Sequence, residues 1–290
     1  MKDYVLFIFV LLNIFLFGCT QEPFVQKENI SAEVLVENAS LENVENTSMD
    51  IASIEEEVVL EEERVEESSS FVSWYFNGEK WIAEGDAPDC FDPLSLETPV
   101  PIDLVTSVLP PGQSRGGDYK GHGGFRFDGS DNEDITVTVP LAGYIVDGSR
   151  YIESGEVQYL FDIINPCGIM IRFDHLRTLS PVFANIAETF PEPVVDDSHT
   201  TNINPTEVHV GDVIATAVGI SGNTVVDWGV YDVRKRNEAS QDASWFAEHG
   251  WNSQAPYAVC WYYLLSPEDS ARVESLAGVT SVEGKESDYC

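Results

Sequence analysis

The chain of 290 residues carries 50 acidic against 15 basic residues, a formal net charge of −35 with a pI near 4.1, and is 43% hydrophobic. A chain this anionic is repelled by nucleic acid and by anionic bilayer surfaces, so no nucleic-acid partner is expected and cationic groups or divalent ions are favoured. The apolar content is enough for a packed core, but it is unevenly spread along the chain.

Residues 1–19 read as a sorting signal. Lys2 precedes an uncharged run, Tyr4 to Gly18, rich in Leu, Ile and Phe and shorter than a spanning helix. It closes on Leu16-Phe17-Gly18-Cys19, the lipobox pattern, so Cys19 is the expected lipidated N-terminus; an uncleaved anchor is the alternative. Either way the remainder is expected outside the cytoplasm, held by a membrane anchor at the outer face of the cytoplasmic membrane or at the cell surface.

Residues 20–70 hold fifteen acidic residues against Lys27 and Arg64 alone. Blocks such as Glu55-Glu56-Glu57 repel one another and cannot bury an apolar face, so a disordered acidic tether is expected. As a flexible chain it spans ~40 Å, and self-repulsion lengthens it. Asn29, Asn38 and Asn46 stand in N-x-S/T sequons within it, while no Asn after Ser70 does. They are glycosylation candidates, against chance occurrence in a Ser- and Asn-rich stretch.

Residues 71–290 are the expected folded part, with 71–98 a lead-in, 99–234 the main domain and 235–290 a C-terminal extension. Alternating runs at Ile135 to Val139, Gly143 to Val146, Val157 to Phe161, Ile169 to Phe173 and Val225 to Val233 are punctuated by Gly, Pro, Asn and Asp. Many short strands follow, which predicts an all-β, sandwich or barrel-like core. Ser180 to Thr206 reads as a long Pro-containing loop. After Arg236 the pattern predicts aromatic strands and one helix, Pro267 to Leu276, capped by Ser266, which makes the extension a small α+β piece. Cys90, Cys167, Cys260 and Cys290 predict two disulfides. Of three connectivities, Cys260 with Cys290 and Cys90 with Cys167 is preferred, and no C-x-x-C pair supports a Cys metal site.

Two stretches carry a resemblance. Gly112 to Asp128 (GQSRGGDYKGHGGFRFD) is similar to the Gly-rich, Tyr-containing loop and H-x-x-x-D stretch of lysostaphin-like (LytM-type) zinc endopeptidases. Val208 to Val233 (VHVGDVIATAVGISGNTVVDWGVYDV) is similar to the turn, strand and Gly-rich loop that lead into that family's H-x-H-F-E strand. Asp174-His175-Leu176 between them resembles its x-H-L motif. The resemblance covers about Pro99 to Arg234 and implies a lysostaphin-like antiparallel β-sandwich or barrel-like core.

A zinc hydrolase needs three protein ligands and an open position for water. The resemblance places His122, Arg126 and Val230 on the three ligand positions, and His175 and Trp228 on the two assisting ones. Arg126 brings a fixed positive charge and Val230 offers no lone pair. Only His122 matches a family ligand, so no metal or other cofactor is expected. His122, Arg126, Asp128, His175, Trp228 and Val230 are the expected ligand-binding cleft, with Trp228 and Val230 as an apolar floor beneath an anion, a carbonyl or a sugar face. The expected function is a catalytically degenerate domain that binds a cell-envelope glycan or peptide, or regulates an envelope protein. The alternative is a zinc endopeptidase on cell-wall peptides with a shifted ligand set, in which Asp128, Asp227, Asp232, His199 or His209 would complete the site.

Overall fold

The alternating runs become strands because a period of two lets each bury one face. A computed structural model describes residues 71–278 and 287–290, so Cys19, the tether and Asn29, Asn38 and Asn46 lie outside the described residues. The chain opens with a hairpin, β1 (Ser73–Phe76) and β2 (Trp81–Glu84), followed by β3 (Ser107–Leu109). A second small hairpin, β4 (Gln113–Arg115) and β5 (Asp118–Lys120), leads into β6 (Gly123–Arg126) and β7 (Val137–Thr138). The long strands β8 (Gly143–Glu153), β9 (Glu156–Ile164) and β10 (Ile169–Leu179) come next. Helix α1 (Pro181–Ala187), β11 (Val194–Val195), β12 (Thr201–Val208), β13 (Val213–Val218) and β14 (Val225–Asp232) complete the main domain. The extension holds α2 (Ala243–His249), α3 (Pro267–Ser275) and β15 (Ala277–Gly278).

Eleven of these strands form one mixed sheet whose main path runs β11-β8-β9-β10-β14-β6-β3-β15, with β12 on β8 and β13 bridging β10 and β7. All its pairings are antiparallel except β11 with β8 and β15 with β3. None of the described helices is long and apolar enough to cross a membrane. The described residues are thus mostly strand with a few short helices.

The central register decides the rest. Phe173 faces Trp228, and Trp228 in turn faces Gly123, while Ile171 faces Val230. Opposed residues share a face, and this face carries the main core, where Phe125, Phe173, Trp228, Val230 and Trp261 are all almost fully buried. Burying each such side chain contributes about 1.5–3 kcal/mol. On the other face Met170, Tyr231, Tyr257 and Ala258 form a smaller apolar layer.

Two expectations are corrected. Ser180 to Thr206 is not a structureless loop: Pro181 opens α1, whose Phe183 and Ala187 are buried, and β12 pairs with β8. After Arg236 the aromatic residues do not alternate along strands, because Asp242 caps α2 through Ser244 N and Trp245 N, and Pro256 lies in a tight 3-10 turn. Tyr257 is buried from that turn, and Trp261 and Tyr262 from a further 3-10 turn, Trp261–Leu264. Helix α3 forms where expected, with Ser266 Oγ accepting from Asp269 N. Both disulfides, Cys90–Cys167 and Cys260–Cys290, pair as preferred.

One polar group is set against the fold. Asp147 on β8 lies opposite Asp162 on β9, whose carboxylate is held by Arg172 through bonds of 2.8 and 2.6 Å. Burial, reinforced by Asp162 and opposed by Arg172, pushes the Asp147 carboxyl up to about 6. Its folded value lies above its unfolded one, so its contribution is complete below about pH 4 and is lost as pH rises through about 6. We expect Asp147→Asn to raise stability at pH 7–8 by on the order of 1 kcal/mol and to flatten the decline between pH 4 and 6. Urea unfolding across pH checks this, and an unchanged profile would refute it.

Candidate functional site

The face of the sheet opposite the main core carries the titratable cluster. Asp174 and Asp227 are opposed on β10 and β14, and Asp227 is opposed to Gly124 on β6. Gly124 matters here because a Cβ would meet Val226 O at 2.5 Å and Asp227 Oδ1 at 3.1 Å, so only glycine lets β6 come this close. Two residues before Gly124, His122 points to the same side and its Nε2 lies 3.0 Å from Asp227 Oδ2.

His175 enters from β10. A register shift against β9 falls between Phe173 and Leu176, and His175 itself adopts φ 61°, a region that non-glycine residues rarely occupy. Asp174 Oδ1 accepts the His175 backbone N–H at 2.7 Å, which fixes the kink. Its Nε2 then lies 3.7 Å from Asp227 Oδ2, and its Nδ1 lies 3.3 Å from Glu153 Oε2. Tyr151, fully inside, donates to Asp174 Oδ1 at 2.5 Å and sits 3.4 Å from His175 Nδ1. Backbone strain of this kind costs of order 1–3 kcal/mol and persists where the surroundings over-determine it.

The electrostatics follow from this placement. Burial would raise the Asp227 carboxyl, but His122, His175 and Arg115 outweigh it and hold it well below the usual carboxylate range. Burial disfavours charge on His175, yet Asp174, Asp227 and Glu153 outweigh burial and Lys120 together, so its imidazole is shifted upward. Arg115 donates to Pro110 O at 2.7 Å and to His122 O at 3.0 Å. The cluster is therefore a compact set of three carboxylates, two imidazoles and two nearby cations. Side-chain exposure is 15% for His122, 14% for Asp227, 19% for His175 and 36% for Glu153, so a ligand would reach only their rims.

The expected cleft is only partly assembled. His122 and His175 do meet, through Asp227. Trp228 and Val230 do not line the cleft, because the register turns them into the main core, where they are 0% and 1% exposed. Alternation puts Asp227, Gly229 and Tyr231 on the cluster's side instead. Arg126 sits four residues of extended strand from His122, roughly 13 Å along β6. There its Nη2 pairs with Asp128 Oδ1 at 3.0 Å, and Thr106 Oγ1 donates to Asp128 Oδ2 at 3.3 Å. Asp232 is gripped by Arg234, and the exposed His199 and His209 pair with Asp197 and Asp212. Tyr151, Glu153, Arg115 and Lys120 carry no motif role in the sequence, and Asp174 enters there only as the variable position of the x-H-L motif.

The zinc implied by the resemblance does not fit these residues. Of its ligand positions, Val230 is in the core, Arg126 is a paired guanidinium, and the His122 nitrogen is taken by Asp227. Among the described residues no group of three or more His, Cys, Asp or Glu side chains is arranged to hold a metal ion. Two concavities lie elsewhere, one lined by Leu94, Ile169, Val230 and Arg234 and one between α1 and β12. Neither contains the titratable cluster, and the chemistry marks the cluster as the stronger candidate. Comparison with protein-family models, with curated proteins and with solved structures gave no significant match.

An upward-shifted imidazole stabilises the fold fully below its unfolded value of about 6.5, and that contribution is lost as pH rises through the higher folded value. We expect native stability to fall as pH is raised above 6.5 and His175→Gln to reduce that slope. Urea midpoints against pH give the comparison, and a slope unchanged in the variant would show that His175 is not held as a cation.

Proposed function

We propose that the chain is a lipid-anchored extracytoplasmic protein whose main domain is a lysostaphin-like β-sandwich or barrel-like fold that binds without hydrolysing. The observation that carries this reading is the Asp227–His122 pair. The one imidazole retained from the family's ligand set has a carboxylate partner 3.0 Å away, in place of two further metal ligands. A zinc hydrolase needs three such ligands about one point. What this site offers is a rim of carboxylate acceptors, Glu153 and Asp227, beside imidazole and guanidinium donors.

Such a rim suits a small polar group of a cell-envelope glycan or peptide, or of an envelope protein. Acceptors of this kind take hydroxyl and ammonium donors through charge-assisted bonds. The lipobox at Cys19 and the acidic tether support delivery of the domain some distance from the membrane. Paired disulfides are in keeping with an oxidising compartment.

The test is a sedimentation assay of the purified protein against isolated envelope polymer, with elemental analysis of the same preparation. We expect saturable binding that Glu153→Gln and Asp227→Asn each weaken about tenfold or more, the size of one charge-assisted bond, with zinc well below one equivalent. One equivalent of zinc that survives dialysis, together with cleavage of envelope peptides that His122→Ala abolishes, would replace this reading with the endopeptidase.

A further inference from the structure

We infer that the segment Ser287–Cys290 is a strap that positions His122, with Asp288 and Tyr289 as its positioning residues. Its functional meaning rests on the binding reading above, although its structural test does not. Cys260–Cys290 fastens one end to the extension. From there the four residues run across the entrance to β4: Ser287 Oγ donates to Pro111 O at 2.5 Å, and Asp288 N donates to Gly112 O at 3.0 Å. Gly112 has φ 77°, and a Cβ there would stand 2.8 Å from Tyr289 Cδ2, so the strap lies directly on the backbone.

The side chains then grip what precedes His122. Asp288 Oδ2 accepts from Tyr119 OH on β5 and from Trp245 Nε1 on α2, both at 2.8 Å. Tyr289 OH lies 3.1 Å from Tyr119 OH and donates to Ala255 O at 2.9 Å. Ala255 is the residue against which Gly121 packs, where a Cβ would come within 3.2 Å of Ala255 Cα. The β4–β5 hairpin itself carries Arg115, which holds the His122 carbonyl. Two routes thus converge on the backbone that carries the His122 imidazole, one through Tyr119 and the hairpin and one through Ala255 and Gly121.

A mere staple would add stability without setting the position of His122, and the two differ in what they change. The test uses the whole purified protein, free of ligand, with Asp288→Asn, Tyr289→Phe and Cys290→Ser. Amide hydrogen exchange of residues 112–121 and NMR titration of each imidazole are the readouts. We expect all three variants to speed exchange of 112–121 about tenfold or more, as loss of local closure does. We also expect the His122 titration midpoint to move, while those of the exposed His199 and His209 stay put. If the melting temperature falls but 112–121 exchange and the His122 midpoint do not change, the segment is a staple and the inference is wrong. Should Cys290→Ser fail to fold, Asp288→Asn and Tyr289→Phe decide, since both keep the disulfide. Failure of the native protein to bind envelope polymer would count against the binding reading alone.

Discussion

The register of β14 between β10 and β6 is the constraint on which the rest depends. With Trp228 opposed to Phe173 and Gly123, three consecutive alternate positions of β14, Val226, Trp228 and Val230, enter the main core. A slip of one residue would exchange every side chain between faces. Asp227 would then be driven into a packed apolar layer without its imidazole partners, a desolvation of several kcal/mol. Trp228 would be expelled to the rim at the same time. The packing of the core and the chemistry of the opposite face are therefore one decision, and neither can be altered alone.

That decision explains how so acidic a protein keeps a charged carboxylate half-buried. Burial opposes the charge on Asp227 more than any one neighbour favours it, but His122, His175 and the field of Arg115 together outweigh that cost. In turn the carboxylate favours the cationic form of His175, aided by Asp174 and Glu153. Removing one member leaves an uncompensated charge on its neighbour, which is why such groups act together in stability and in titration. Asp147 shows the opposite case nearby: its neighbour Asp162 is already satisfied by Arg172, so the second carboxyl is driven toward its neutral form.

Much of the fold was legible in the sequence, because period-two alternation marks a strand wherever one face is buried. The five alternating runs all contain or lie within strands, and Ser266-Pro267 marked the start of α3. The aromatic residues after Arg236 misled, since Trp261 and Tyr262 look like strand residues in isolation but are buried from a 3-10 turn, Trp261–Leu264. At the site, His122 and His175 were visible as motif residues, whereas the face of β14 was misassigned by following the H-x-H positions. The alternation itself held the answer: Val226, Trp228 and Val230 are apolar, while Asp227, Gly229 and Tyr231 carry the polar atoms and the small residue. Tyr151, Glu153 and Arg115 had no such signal, because only the placement of β8 and β10 on either side of β9, and the fold of the β4–β5 hairpin, bring them near His175 and His122.

The extension shapes what can reach this site. A Cβ at Gly123 would stand 2.3 Å from Leu109 O and 2.8 Å from Trp261 Nε1, and one at Gly121 would press on Ala255. Glycine at these positions lets the extension close onto the sheet beside His122, leaving the imidazole only 15% exposed. A polymer chain laid lengthwise needs a groove several residues long, and the cluster presents only the rims of Glu153, His175, Asp227 and His122. Under the proposed binding reading, recognition is then of an end group or a single projecting substituent. Specificity would come from matching donors to this short row of acceptors, since contact along a backbone has no surface to use.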